Sequence, residues 1–125
     1  LDEQRGVVRD ALDEPDAFEK SSPRHRLRFL DKLLRTEHFN RDQTYELQSM
    51  GIVLGDALAE ALELKWVIVH DRHGRDPALL LPGTTVLLFP LTMISKRAEG
   101  GRMVDVVALY TAVLDQFEAI RAEAV

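Results

Sequence analysis

Residues 51–97 read GIVLGDALAEALELKWVIVHDRHGRDPALLLPGTTVLLFPLTMISKR, and this stretch decides the fold. Its first part carries Gly51, Gly55 and Ala59 at four-residue spacing, within a helix predicted to span residues 42–63. Each glycine lowers helix propensity by about 1 kcal/mol, so a bare stripe of this kind predicts close approach by another part of the chain. The sequence leaves open whether that part is the following strand or another helix.

Short apolar runs follow the helix and predict an antiparallel meander. The three runs, separated by turns, occupy residues 65–71, 78–81 and 84–89. The first turn contains Gly74, and Pro82-Gly83 is the pair expected at the centre of a type II turn. Residues 93–98 fit either a fourth strand or a helical turn, and we favour the strand.

Both alternating faces of these strands are apolar. Trp66 and Ile68 alternate with Val67 and Val69, and the other two runs repeat the pattern. A sheet with one solvated face alternates apolar with polar residues instead. The sequence therefore predicts either that helices of this chain cover both faces, or that the chain forms a homodimer through one sheet face.

Helical patterns flank the sheet region on both sides. A short amphipathic helix is predicted to begin at Asp2 and to end at residues 13–15, and a second, capped by Ser22, to span residues 23–36. The last helix is predicted over residues 102–123. The expected fold class is α+β, with N-terminal helices, a three- to four-stranded mainly antiparallel sheet and a long C-terminal helix. It forms a single domain, with a helical N-terminal extension over 1–40 and an α+β core over 41–125.

Composition restricts the classes of function. The 125 residues have a formal charge of −5 and contain no cysteine, which excludes disulfides, thiolate catalysis and zinc sites with sulfur ligands. The acidic balance argues against nucleic acid as a partner, and no apolar run approaches the ~20 residues that span a membrane. We expect a soluble, cytoplasmic protein, although the opening at Leu1 leaves room for an upstream segment or a removed leader.

The hairpin predicted around residue 72 carries the candidate metal ligands. His70, Asp71 and His73 are of types that bind zinc and similar ions. In a continuing strand, His70 and Asp71 point to opposite faces, so convergence would depend on the turn. The alternative is ordinary polarity of a surface hairpin.

Basic residues form two further candidates. Lys96, Arg97 and Arg102 bracket Gly100-Gly101 before the last helix and form a cationic edge suited to an anion or an acidic partner. Arg75 adds a cation on the hairpin. A basic stripe also follows the second helix, formed by Arg24, Arg28, Lys32 and Arg35. Such a stripe can receive an acidic partner or phosphates. We favour the alternative, a solvated face that pairs with the acidic side of the third helix at Asp56, Glu60 and Glu63.

The motif residues together resemble a bacterial domain of unknown function, number 3806. The resemblance rests on Gly51-Ile52-Val53-Leu54-Gly55, Leu64-Lys65-Trp66-Val67, Gly74-Arg75-Asp76, Phe89-Pro90 and Lys96-Arg97, and covers about residues 45–115. It implies a small bacterial α+β domain and brings no catalytic residues with it.

The sequence favours a noncatalytic binding or interaction domain without a cofactor. Its expected ligand- or partner-binding residues are Arg75, Lys96, Arg97 and Arg102, because loops on a rigid sheet commonly carry recognition residues. A protein is the expected partner. The alternative is a small metal-assisted enzyme that uses the hairpin with His70, Asp71 and His73.

Overall fold

The computed structural model describes residues 1–11, 22–72 and 74–123, and within them the chain has the predicted α+β architecture. The elements in chain order are α1 (Asp2–Asp10), α2 (Pro23–Arg35), α3 (Thr44–Leu62), β1 (Lys65–Asp71), β2 (Gly74–Leu80), β3 (Leu87–Leu88), α4 (Leu91–Glu99) and α5 (Val106–Glu123). Helices α2 and α3 and strand β1 follow the predicted bounds to within about two residues, as helix ends usually allow. Helix α1 begins at Asp2 as predicted but ends at Asp10, earlier than expected. Residues 13–15, where its stop was predicted, lie outside the described residues.

Helix α3 is the centre of the described part of the molecule, because the other four described helices each pack against it. It is apolar around most of its circumference, as expected of a buried helix. Its core partners come from every helix and from the sheet. Representative fully buried side chains are Val8, Leu27, Leu30, Leu47, Met50, Leu54, Leu58, Leu79, Ile94 and Val106.

The glycine stripe of α3 makes the close approach that the spacing predicted, and it meets both a helix and a strand. A Cβ built on Gly51 would lie 2.5 Å from the carbonyl oxygen of Pro90, at the start of α4. A Cβ built on Gly55 would lie 2.6 Å from the indole of Trp66 in β1. The two glycines therefore set the distance from α3 to α4 and to the sheet.

The sheet is an antiparallel meander in the order β1-β2-β3. β1 and β2 pair over their full lengths, from Lys65 opposite Leu80 to Asp71 opposite Gly74. The tight turn between β2 and β3 has Gly83 at φ +79°, the left-handed position of a type II turn. The strand predicted over residues 84–89 is shorter than expected, since only Leu87 and Leu88 pair with β2.

One face of the sheet packs on the core and the other does not. Trp66, Leu79 and Leu88 share the inner face and join the hydrophobic core. On the outer face Ala78 is buried, whereas Val67, Val69, Leu80 and Leu87 are half-buried or exposed and lie outside that core. The described helices therefore leave part of this face uncovered, and the homodimer through it stays a prediction.

The expected fourth strand at residues 93–98 is wrong, because this segment belongs to α4. Ile94 and Ser95 are buried while Lys96 is exposed, a pattern that follows helical spacing rather than alternation. Gly51 allows the backbone at Leu91 to rest directly on α3, and this contact positions the first turn of α4. The contact is tertiary, so local sequence alone did not choose between strand and helix.

The last helix begins at Val106, four residues later than predicted. Two carboxylates satisfy its free amide groups: Asp105 Oδ1 accepts from the Ala108 amide at 2.9 Å, and Asp31 Oδ1 from the Val106 amide at 2.8 Å. Capping of this kind satisfies donors that a helix leaves unpaired at its start. Asp31 lies on α2, so the start of α5 depends on a contact between two helices.

Replacing Glu63 with glycine is expected to raise the free energy of unfolding by about 0.5–1 kcal/mol, because α3 ends with this exposed residue in the left-handed conformation that glycine adopts without strain. Urea denaturation measures the change. Ala61→Gly is the control, since the same residue placed inside the helix should lower stability by about 1 kcal/mol. A loss of stability in Glu63→Gly comparable to that control would contradict the strained helix end.

Candidate functional site

A cleft of about 620 Å³ lies between the loop that joins α2 to α3 and the loop that joins α4 to α5. Its volume falls within the range of small-ligand sites. The apolar part of the lining combines buried and half-buried side chains. They are Leu34, Phe39, Leu47, Ala98 and Val104. Met103, whose side chain is 98 % exposed, stands at the rim.

Local hydrogen bonds fix the first loop of the cleft. α2 ends with Glu37 in the left-handed conformation, and the His38 amide donates back to the Leu33 carbonyl at 3.0 Å. Asn40 then accepts from the Asp42 amide at 3.0 Å through its side chain. These bonds hold the chain in a defined turn, and Arg41 projects from it.

Three arginines line the cleft: Arg35, Arg41 and Arg102. The two loops meet at Gly101, where a built Cβ would lie 3.5 Å from Arg41 Nη1. Glu37 is the one acidic residue of the lining. None of the three guanidinium groups forms an ion pair within the described residues. The cleft thus combines an excess of positive charge with an apolar wall.

Of the residues predicted to bind a ligand or partner, Arg102 lines this cleft and the other three do not. Lys96 is exposed on α4, and Arg97 donates through Nη1 to the Met93 carbonyl of its own helix at 2.8 Å. Arg75 is exposed on β2, opposite His70 in the hairpin. The predicted cationic edge is therefore divided, and Arg102 is joined by Arg35 from the end of α2 and by Arg41 from the loop that follows it.

Sequence reasoning missed Arg41 as a site residue. It lies sixty-one positions before Arg102, and only packing of α2 and α4 against α3 brings their loops together. The local signal available was weak: Arg41 occupies the turn-like Asn40-Arg41-Asp42, and turns commonly carry recognition residues. Arg35 was recognised as basic, but as part of the stripe on α2.

The metal hypothesis for the hairpin stays a prediction, because His73 lies outside the described residues. His70 and Asp71 are exposed at the end of β1 and alternate in direction. In the part of the chain that the structure describes, no three histidine, cysteine, aspartate or glutamate residues are grouped to hold a metal ion.

The predicted pairing between the basic stripe of α2 and the acidic side of α3 is wrong in its partners. The four stripe residues are exposed and form no ion pair among the described residues. Glu60 binds Arg26, which lies on the inner side of α2, and Asp56 binds Arg5 of α1. Arg26 and Arg5 are the less exposed cations, so they reach α3 without leaving the packed side of their helices.

Asp56 is the centre of a polar cluster that joins α1, α3 and β1. Arg5 donates to it twice, from Nε at 2.7 Å and from Nη2 at 2.8 Å, and Trp66 Nε1 donates at 3.0 Å. The hydrogen bonds to Asp56 raise the pKa of the Arg5 guanidinium further above its ordinary value. Three of the roughly four acceptor sites of the carboxylate are occupied by fixed donors, which indicates a structural role in orienting Trp66 rather than acid–base chemistry.

Comparisons with known proteins identify one family. The model of the family described as Domain of unknown function (DUF3806) matches residues 26–110, which is more than half of the chain. The match includes α2, α3, the sheet, α4 and the first residues of α5. No curated protein and no solved structure matches the chain. Of the helices within the described ranges, none combines the length and apolarity that crossing a membrane requires.

Proposed function

Since the chain belongs to the DUF3806 family, whose description names no activity, we propose a function from its own surface: a noncatalytic interaction domain that binds an acidic segment of a partner protein. The observation that supports this proposal is the cleft between the two helix-connecting loops. Its lining has three positively charged residues, Arg35, Arg41 and Arg102, and one negatively charged residue, Glu37.

Arginine suits this role because its planar guanidinium donates two parallel hydrogen bonds to a carboxylate. The three arginines retain their donors for a ligand, since no ion pair within the described chain occupies them. On a protein of net charge −5, such a cluster also gives a localised positive field. An acidic ligand is therefore steered to this cleft and away from the rest of the surface.

The apolar wall favours a peptide over a simple inorganic anion. Leu34, Phe39 and Val104 line the cleft beside the arginines, and the exposed Met103 provides a flexible apolar rim. Methionine adapts to varied partner surfaces because its side chain is unbranched and polarisable. A segment with glutamate or aspartate next to a large apolar side chain would use both parts of the lining.

The groups that face the cleft support binding rather than catalysis. Its lining within the described residues offers guanidinium groups, one carboxylate and an amide. Guanidinium groups stay protonated at working pH, so they hold charge in place but transfer no proton. The role proposed here therefore uses Arg41 and Arg102 as ligand-binding residues, and no catalytic residue is assigned.

Binding of a capped acidic peptide that carries glutamate and phenylalanine tests the proposal by calorimetry and by amide NMR shifts. Arg41→Gln and Arg102→Gln are each expected to weaken binding by about tenfold or more, because each removes charge-assisted hydrogen bonds. Raising the salt concentration should weaken the wild-type complex as well. The shifted amides should cluster in the two loops of the cleft.

Arg28→Gln is the matched control, since Arg28 is exposed on α2 and does not line the cleft. It should bind like the wild type. The same peptide with glutamine in place of glutamate should show no saturable binding. Equal losses from Arg28→Gln and Arg41→Gln would show that only overall charge matters and would refute a site in the cleft.

A further inference from the structure

β1 is an edge strand, because no second strand pairs with its outer side among the described residues. The sheet order β1-β2-β3 places β1 at one margin, with seven residues from Lys65 to Asp71. Within the described chain, residues 65–70 form no backbone hydrogen bond outside the β1–β2 ladder. An edge of this length carries a row of free amide and carbonyl groups that can pair with another strand.

The register identifies which residues carry those free groups. The Leu81 amide donates to the Val86 carbonyl at 3.1 Å, so odd-numbered residues of β2 bond toward β3 and even-numbered residues bond toward β1. The β1 partners of Ala78 and Leu80 are Val67 and Lys65. The amide and carbonyl groups of Trp66, Ile68 and His70 consequently point outward.

The edge lacks the usual protection against pairing. Native edge strands carry proline, central charges or bulges that block a second strand. Residues Trp66–Val69 are apolar instead, and Ile68, in the middle of the strand, is 48 % exposed. Pro77 lies opposite Ile68 on β2, so it leaves the outer edge of β1 open.

The sequence of β1 is complementary to itself in one antiparallel register. With Ile68 on a two-fold axis, Lys65 faces Asp71 of the second copy, Trp66 faces His70, and Val67 faces Val69. Opposite charges at both ends and branched apolar residues at the centre are favourable cross-strand pairs. In this register the outward amide and carbonyl groups of Ile68 bond to those of Ile68 in the second copy. Those of Trp66 bond in the same way to those of His70.

From these observations we propose that the chain forms a homodimer by edge-to-edge pairing of β1 with β1 of a second copy. The product is a continuous six-stranded sheet with two-fold symmetry. The assembly stops at two copies, because the opposite edge of the sheet is β3, which comprises only Leu87 and Leu88 and is too short to pair with a further copy. The occupant of the edge is thus a second copy of this chain, bound through the strand margin rather than through the sheet face.

Sedimentation equilibrium over a concentration series tests the proposal by comparing the 125-residue wild-type chain with its Ile68→Pro variant. Proline removes the outward amide on the two-fold axis but none of the β1–β2 hydrogen bonds, and edge strands accept proline at such positions. The dissociation constant of the dimer should rise by at least about tenfold. Unchanged far-ultraviolet circular dichroism shows that the fold persists.

Charge reversal provides a second test that does not alter the backbone. Lys65→Glu places like charges opposite each other at both ends of the paired strands and should raise the dissociation constant by about tenfold. Adding Asp71→Lys to Lys65→Glu restores opposite charges and should recover the dimer. If Lys65→Glu acted only by damaging the strand, the second change would not restore the dimer.

Leu87→Lys is the control, because Leu87 is exposed on the outer face of β3, away from the β1 edge. It should leave the dimer intact. A dimer disrupted by Leu87→Lys but not by Ile68→Pro would overturn the proposal in favour of face-to-face association. A wild-type chain that stays monomeric throughout the series would also overturn it. If the amides of Trp66, Ile68 and His70 exchanged hydrogen slowly in that monomer, the edge would be paired with a segment of the same chain instead.

Discussion

Replacing Gly51 with alanine is expected to lower the free energy of unfolding by about 2 kcal/mol. The added methyl group would lie 2.5 Å from the Pro90 carbonyl oxygen and 2.9 Å from both Cα and the carbonyl oxygen of Leu91. All three are backbone atoms, so relief requires α3 and α4 to move apart, and overpacking of this kind costs about 1–3 kcal/mol. Urea denaturation measures the loss, and the gain of about 1 kcal/mol in helix propensity offsets part of it.

Gly6→Ala is the matched control for this substitution. Gly6 also lies inside a helix, but the nearest atom to its built Cβ is Arg9 Nη2 at 3.8 Å. Alanine there should raise stability by up to about 1 kcal/mol through helix propensity alone. If Gly51→Ala raised stability as Gly6→Ala is expected to do, the close contact between α3 and the start of α4 would be refuted.

Replacing Asp56 with alanine is expected to lower the free energy of unfolding by about 3 kcal/mol. The change removes two hydrogen bonds from Arg5 and one from Trp66, and it leaves their donors without the carboxylate. Breaking a fully buried ion pair costs about 3–5 kcal/mol, and the side chains of Arg5 and Asp56 are 34 % and 22 % exposed, so the lower end applies. Denaturation followed by Trp66 fluorescence reports both the stability and the altered indole environment.

Asp115→Ala removes an exposed carboxylate on α5 and serves as the control, with an expected change within about 0.5 kcal/mol. Arg5→Met combined with Asp56→Ala should be less destabilising than the sum of the single changes, because the two residues share one interaction. Strict additivity, or an Asp56→Ala variant as stable as Asp115→Ala, would contradict the role assigned to the cluster.

Much of the fold could be predicted because its signals are local. Ser22-Pro23 marked the start of α2, and Ser22 Oγ accepts from the His25 amide as a capping residue should. The β-branched run from Lys65 and the glycine at position 74 specified the hairpin. In each case a few neighbouring residues carry the conformational preference, so no distant contact was needed to read it.

Residues 91–99 could not be assigned in the same way. Their local preference is divided between strand and helix, and contact with α3 at Gly51 favours the helix. The candidate cleft has the same origin: Arg102 was recognised as a cationic residue, but its neighbours Arg35 and Arg41 come from the end of α2 and the loop after it. Sequence spacing gives no measure of distance between loops whose approach depends on helix packing.

The sequence by itself determined the α+β class, the positions of the hairpin and of the described helices other than α4, and the need for a close contact at Gly51 and Gly55. These follow from backbone preference and from the period of apolar residues, both of which act over a few positions. Only the tertiary structure decided that Gly51 meets the start of α4, that Gly55 meets Trp66, and that one sheet face remains outside the core. Those outcomes depend on which elements pack against α3. Packing selects partners by shape and by distance in space rather than by separation along the chain.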